Sequence, residues 1–279
     1  MNYRHAYHAG NFADVFKHVL LTRILLYLKR KDGPLRFIDT HAGIGLYDLT
    51  GEEAARTGEW RGGIGRMAKL PPGAAHDLLQ PWLNAVGPLD AQGRPILYPG
   101  SPALAQALLR PQDRMTFSDL HPGDARLLAQ NMGRDKRVQV VVGDGYKVLN
   151  GMVPPPERRG LVLIDPPFEQ TGEFVQMEAA LLKAQRKWRA GLFALWYPLK
   201  DGSADLFAAR LAAGGIKRIL RLRIAIGDIQ SPGLNACALV IVNPPFVLEA
   251  EARIILPALA QAMADGCPGS HGIDWLAGE

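Results

Sequence analysis

The chain has 279 residues, 48% hydrophobic and 21% charged, which builds a large globular core and excludes a disordered or fibrous protein. A net charge of +5 and a sequence pI near 9.3 permit nucleic acid as a partner without demanding it. Two cysteines, Cys237 and Cys267, exclude a disulfide framework and a cysteine-ligated metal centre, and fit a reducing cytoplasm.

The first residues, 1–11, mix Tyr3, Arg4, His5, Tyr7 and His8 and carry no apolar run of the kind a signal peptide needs. Asn11 is placed to cap a helix over residues 12–29, with Val15, Val19, Thr22 and Leu26 on one stripe. Its most apolar part, residues 19–28, is broken by Arg23 and too short to cross a bilayer, so no membrane is expected. Asp32-Gly33-Pro34 ends the helix. Residues 35–39 form the first strand and run into Thr40-His41-Ala42-Gly43-Ile44-Gly45. That Gly-x-Gly turn lacks the third glycine of a dinucleotide fingerprint but allows a close backbone approach to a cofactor.

Residues 46–97 interrupt the alternation and hold helical pieces at 64–70 and 74–85. They are expected to be an inserted helical subdomain within one domain spanning 1–279. After Tyr98-Pro99-Gly100-Ser101-Pro102 comes a short helix, then a strand at 115–119 and a helix beginning at His121-Pro122. A strand at 138–142 ends in Gly143-Asp144-Gly145, and residues 154–159 lead into the strand Gly160-Leu-Val-Leu-Ile164. A helix (173–188), a strand (192–196), a helix (204–213), strands at 219–226 and 236–242, a helix (248–264) and a Gly/Pro-punctuated tail (266–279) complete the chain. Alternating strand and helix predicts an α/β fold with a doubly wound, mostly parallel sheet. The last two strands have no helix between them and must pair antiparallel.

The strand 160–164 stops at Asp165-Pro166-Pro167-Phe168. Prolines cannot donate to a sheet ladder, and an acid at the carboxyl edge of a parallel strand sits where such sheets bind ligands. A nucleobase could stack on Phe168 while Asp165 and the Pro166 carbonyl accept the two hydrogens of its exocyclic amine. The motif resembles the (Asp/Asn/Ser)-Pro-Pro-(Tyr/Phe) signature of amino-group methyltransferases. Asp39, Asp119, Asp144 and Asp165 all end strands. A single acid of this kind is usually a turn former, whereas four in register match a bound nucleoside cofactor: Asp119 for its ribose hydroxyls, and Asp144 for its adenine amine with Gly145 leaving room for the ring.

The resemblance narrows with Tyr3-Arg4-His5, His8-Ala-Gly-Asn11, Ala13-Asp14-Val15, Lys17-His18, Asp39-Thr-His41-Ala-Gly43-x-Gly45, Arg56-Thr-Gly-Glu59, Tyr98-Pro-Gly-Ser101-Pro102, Ala194-Leu-Trp196-Tyr-Pro198 and Asn243-Pro-Pro245. Together they resemble the bacterial 23S ribosomal RNA (adenine-2030-N6)-methyltransferases over nearly the whole chain. The resemblance implies a Rossmann-like class I fold with a seven-stranded sheet and an inserted helical subdomain. It implies S-adenosylmethionine as cofactor, 23S ribosomal RNA as partner, and cofactor contacts at Lys17, His18, His41, Ser101, Asp119, Asp144, Gly145 and Asp165. Catalysis falls to Asp165, Pro166, Pro167 and Phe168, and substrate contact to Tyr3 and Phe168. Two departures stand out: Phe168 where many members have Tyr, and Asp119 where Glu is common. The chain is expected to be monomeric; it is expected to be metal-free, since the spacings of His5, His8, His18 and His41 match no zinc template.

Asn243-Pro244-Pro245-Phe246 also follows a buried strand and fits the same signature. Its position after the last strand assigns it to a turn. Arg4, Lys17, Arg158 and Arg159 are candidate phosphate contacts. The rival functions are a DNA adenine methyltransferase, a nicotinamide oxidoreductase and a non-catalytic RNA-binding protein. The missing duplex-reading domain, the missing third glycine and the intact Asp165 weigh against each in turn.

Overall fold

The computed structural model describes residues 4–278, so Tyr3 lies outside the described residues. Asn11 caps the first helix, α1 (Phe12–Leu28), by accepting the Asp14 amide at 3.0 Å. Then follow β1 (Arg36–Asp39), β2 (Leu46–Asp48), α2 (Glu52–Thr57), α3 (Ile64–Met67), α4 (Ala74–Val86) and β3 (Leu97–Pro99). The central part comprises α5 (Ser101–Leu108), β4 (Arg114–Asp119), α6 (Pro122–Met132), β5 (Val138–Val142), α7 (Gly145–Met152) and β6 (Gly160–Ile164). The chain ends with α8 (Glu173–Lys187), β7 (Leu192–Pro198), α9 (Gly202–Ala213), β8 (Ile219–Ala225), β9 (Ala236–Val242), α10 (Leu248–Ala262) and β10 (Ser270–Ala277).

Eight strands form the main sheet in the order β10-β8-β9-β7-β6-β1-β4-β5. Strands β5, β4, β1, β6 and β7 are parallel, and β9 lies antiparallel between β7 and β8. The expected seven strands become eight because the tail is not a loop: Ser270–Ala277 pairs antiparallel with β8. Glycines and a proline mask it in the sequence, but the open ladder of β8 supplies partners, and Asp274 accepts from Arg223 at 2.9 Å across the pair.

Successive strand residues serve opposite faces. Leu161 and Leu163 join the cluster beneath α1, α5 and α10, while Val162 and Ile164 join the one beneath α8 and α9. Between residues 46 and 97 the two ends of the segment pair as the β2–β3 ribbon, a feature too short to read from sequence. Leu79, Trp82 and Val86 of α4 pack into the same cluster as α1 and α10. Helix α1 is buried over nearly its whole circumference up to Leu25, which fixes its polar residues firmly beside the sheet.

Candidate active site

A cavity of about 580 Å³ opens at the carboxyl ends of the parallel strands. The order β6-β1-β4-β5 sets four acids in a row there: Asp165 after β6, Asp39 ending β1, Asp119 ending β4 and Asp144 after β5. Open α/β sheets bind ligands at this edge.

After β6 the two prolines leave little freedom, and Phe168 takes φ +52°, a conformation uncommon for a bulky residue and met at functional turns. That twist brings its ring 4.9 Å from Phe174 and 6.0 Å, edge to face, from Trp196. Phe168, Trp196 and Pro198 thus make an aromatic and apolar wall beside Asp165 in the cavity.

Helix α1 supplies the other wall. Asp14, Lys17 and His18 fall three and four residues apart, on one side of it. The Lys17 ammonium is ion-paired with the Asp165 carboxylate and lies 3.0 Å from Asp14. Burial pulls its pKa down, but Asp165 and Asp14 outweigh that and hold it well above the ordinary lysine value. Asp14 also accepts from the Gly10 amide at 3.0 Å and bonds His5 at 2.9 Å. Burial pushes its carboxyl up, yet His5, Lys17 and His18 carry it well below the ordinary range. His18 is lowered to about 3 by burial and shares a 2.9 Å hydrogen bond with the Tyr98 hydroxyl.

Beside β1, Gly43 adopts φ +59° and donates its amide to Asp119 at 3.0 Å, while the His121 amide takes the other Asp119 oxygen at 2.9 Å. Burial pushes the Asp119 carboxyl up. His41, lowered to about 4 by burial, lies 2.8 Å from the Thr40 hydroxyl and meets the Tyr146 ring edge-on. Asp144 caps α7, accepting the Tyr146 and Lys147 amides at 2.9 and 3.3 Å. A Cβ on Gly145 would stand 2.0 Å from the Thr40 carbonyl oxygen, so the crossing of two turns dictates this glycine. The same glycine lines the cavity.

Ser101 donates to Asp39 at 2.5 Å, and the His41 amide does so at 3.2 Å. Burial raises the Asp39 carboxyl to about 7, with Ser101 opposing. The native state therefore keeps this proton up to about 7, whereas the unfolded chain sheds it near 3.8. Stability falls as pH rises through that window. Asp39→Asn keeps the shape without the charge, so its melting temperature is expected to gain on wild type between about pH 4 and 7. Melting differences that stay constant across this range would exclude a buried neutral acid.

The cavity gathers Lys17, His18, His41, Ser101, Asp119, Asp144, Gly145, Asp165, Pro166, Pro167 and Phe168. It does not gather Arg158 and Arg159, which precede β6 at the opposite edge, where Arg159 donates to the Leu28 and Gly33 carbonyls. Lys17, 6% exposed and paired with two carboxylates, is not available to a phosphate. Asn243 also lies at the opposite edge, because antiparallel β9 delivers its end beside Phe193 at the start of β7. Its amide group donates to the Arg189 and Gly191 carbonyls, both at 2.8 Å. Asp14, Trp196 and Tyr146 were missed as site residues. Asp14 reads as an ordinary first-turn acid, three residues after the cap, and only its contacts with His5 and Lys17 distinguish it. Among the described residues no group of three or more metal-ligating side chains converges, and no helix is long and apolar enough to cross a membrane.

The sequence model of the family described as ribosomal RNA large subunit methyltransferase D, RlmJ (RsmJ), matches residues 32–277. Ribosomal RNA large subunit methyltransferase J of Escherichia coli (strain K12) is 36% identical over 281 residues, and that of Haemophilus influenzae 37% over 286. Each alignment covers 100% of both chains. A crystal structure of a Legionella pneumophila protein superimposes with a TM-score of 0.87 at 33% identity, covering 96% of this chain and 98% of that one. With the four acids in register and the proline turn at the end of β6, these matches make the chain a member of the RlmJ family of ribosomal RNA large subunit methyltransferases.

Proposed function

We propose that this protein methylates the N6 amine of an adenine in 23S ribosomal RNA, adenine 2030 by family, with S-adenosylmethionine as methyl donor. The observation that carries the reading is Asp165, held by Lys17 beside the Phe168–Trp196 wall, in one cavity with Asp119 and Asp144. The cavity suits a cationic nucleoside cofactor, since among the described residues eight carboxylates and two ammonium groups line it. Asp119 and Asp144 would hold the ribose and adenine, with Lys17, His18, His41, Ser101 and Gly145 completing that side. When bound, the cofactor supplies an electrophilic methyl group.

The chain's own residues prepare the acceptor. An adenine amine is a poor nucleophile because its lone pair is delocalised into the ring. Asp165 and the Pro166 carbonyl accept its two hydrogens, which favours a pyramidal nitrogen as positive charge develops. Phe168 and Trp196 orient the base once it has left its stack. Tyr3, outside the described residues, is assigned to the substrate by family resemblance. The same reading takes residues 46–97 as a helical insertion in a single domain, and the protein as cytoplasmic, monomeric and independent of metal.

Labelled S-adenosylmethionine incubated with protein-free 23S RNA or with assembled subunits should place label on an adenine N6. Label found in DNA alone, or none in RNA, would overturn the assignment. Asp119→Ala leaves the ribose hydroxyls unpaired and is expected to weaken S-adenosylhomocysteine binding by about 1–3 kcal/mol. Calorimetry returning the wild-type affinity would move the ribose elsewhere.

A further inference from the structure

Lys200 lies two residues beyond β7, whose Trp196 and Pro198 form the wall beside Asp165. Strand β7 neighbours β6, and two strands separate it from β4 with its Asp119. Lys200 therefore stands on the side of the cavity where the acceptor base enters. It is exposed, lines the cavity and makes no hydrogen bond or ion pair among the described residues. Its sequence neighbour Asp201 is engaged in capping α9 through Ser203. His5, His8 and Lys200 line the same cavity, and Lys200 is near enough to oppose the rise that Glu59 gives the His8 pKa, so Lys200 faces the amino-terminal segment across the mouth.

A polyanion approaching this mouth meets a wall of carboxylates. Of the two ammonium groups among the described residues of that wall, Lys17 is buried and committed to Asp14 and Asp165. His18 and His41 are neutral by burial, and His5 and His8 are bonded to Asp14 and Glu59. A flipped nucleotide carries a phosphodiester on each side of its sugar, and those groups must remain at the mouth when the base is seated. We propose that Lys200 binds a phosphodiester flanking the target adenosine, an assignment that rests on the RNA-methylating reading above. A lysine serves here as a point charge, which attracts the backbone without reading sequence.

The test measures binding of a fluorescently labelled 23S RNA fragment containing the target adenosine, with S-adenosylhomocysteine present, alongside transfer kinetics. Lys200→Ala should weaken RNA binding and raise KM about tenfold at low salt, with kcat within about twofold, a signature of lost phosphate attraction. The slope of log Kd against log salt should shrink by about 0.7–0.9, the loss of one phosphate contact. Lys200→Arg should restore most of the affinity, and S-adenosylhomocysteine affinity and melting temperature should not move. Lys217→Ala removes the same charge from the opposite edge of the sheet and should leave RNA affinity unchanged. The proposal falls if Lys200→Ala keeps the wild-type Kd and salt slope, if kcat alone falls, or if Lys217→Ala has an equal effect. Failure of the wild-type protein to methylate RNA would instead strike the parent reading, while the binding series would still judge Lys200.

Discussion

Asp165→Ala is expected to lower methyl transfer by about 100- to 1,000-fold or more, the loss seen when one preorganised group facing developing charge is removed. In the proposed reading this carboxylate accepts the amine hydrogens, and the next acid in the turn after β6, Glu169, stands four residues further along the chain. S-adenosylhomocysteine affinity should stay within a few-fold, because Asp119 and Asp144 are untouched. Lys17 keeps Asp14 at 3.0 Å, so the helix that carries it should remain in place. Asn243→Ala makes the matching control. It deletes two hydrogen bonds to the Arg189 and Gly191 carbonyls and puts alanine at φ +55°. That should cost about 1–3 kcal/mol of stability and leave the rate per folded molecule intact. Single-turnover transfer measured on both variants decides the matter, and a dead Asn243→Ala beside an active Asp165→Ala would reverse the assignment of the two proline motifs.

The second large effect belongs to Asp14. Its carboxylate, 2% exposed, is the common partner of Lys17, His5 and the Gly10 amide. Alanine there strands a buried amide and takes one of two counter-ions from Lys17. A destabilisation of about 3 kcal/mol is expected, because breaking a buried pair costs more than the pair itself is worth. For a chain of this size that lowers Tm by about 5 °C. Transfer should also fall, since Lys17 then leans wholly on Asp165 and the amino-terminal segment loses its tie to the site. The acid dependence carries a sign. A carboxyl held below its ordinary 3.8 contributes stability above that value and loses it as pH falls through the folded value. The gap in Tm between wild type and Asp14→Ala should therefore close on acidification. A gap unchanged down to the acid limit would show that Asp14 is not held as a buried anion.

The amino-acid sequence by itself determined the parallel strands, the acids that end them and the proline turn after Gly160–Ile164. These are local features: runs of β-branched residues make buried strands, and an acid or a proline at the end makes itself known within a few positions. Helix α1 was legible for the same reason, through Asn11 and the spacing of its apolar residues. The tail strand was not, because Ser270–Ala277 is held by pairing with β8 and by Arg223 and Asp274, fifty-one positions apart in the chain. Asp14 looked like any first-turn acid until the fold brought His5 and Lys17 to it. The pairing of Lys17 with Asp165 joins residues 148 apart, a distance across which no sequence periodicity reaches. Two nearly identical motifs, Asp165-Pro-Pro-Phe and Asn243-Pro-Pro-Phe, have the same local chemistry. Their positions along the chain set them apart, and the direction of the strand beneath each one gives the physical reason. Parallel β6 delivers its acid to the edge where the cavity opens, and antiparallel β9 delivers its amide to the other edge, among backbone carbonyls.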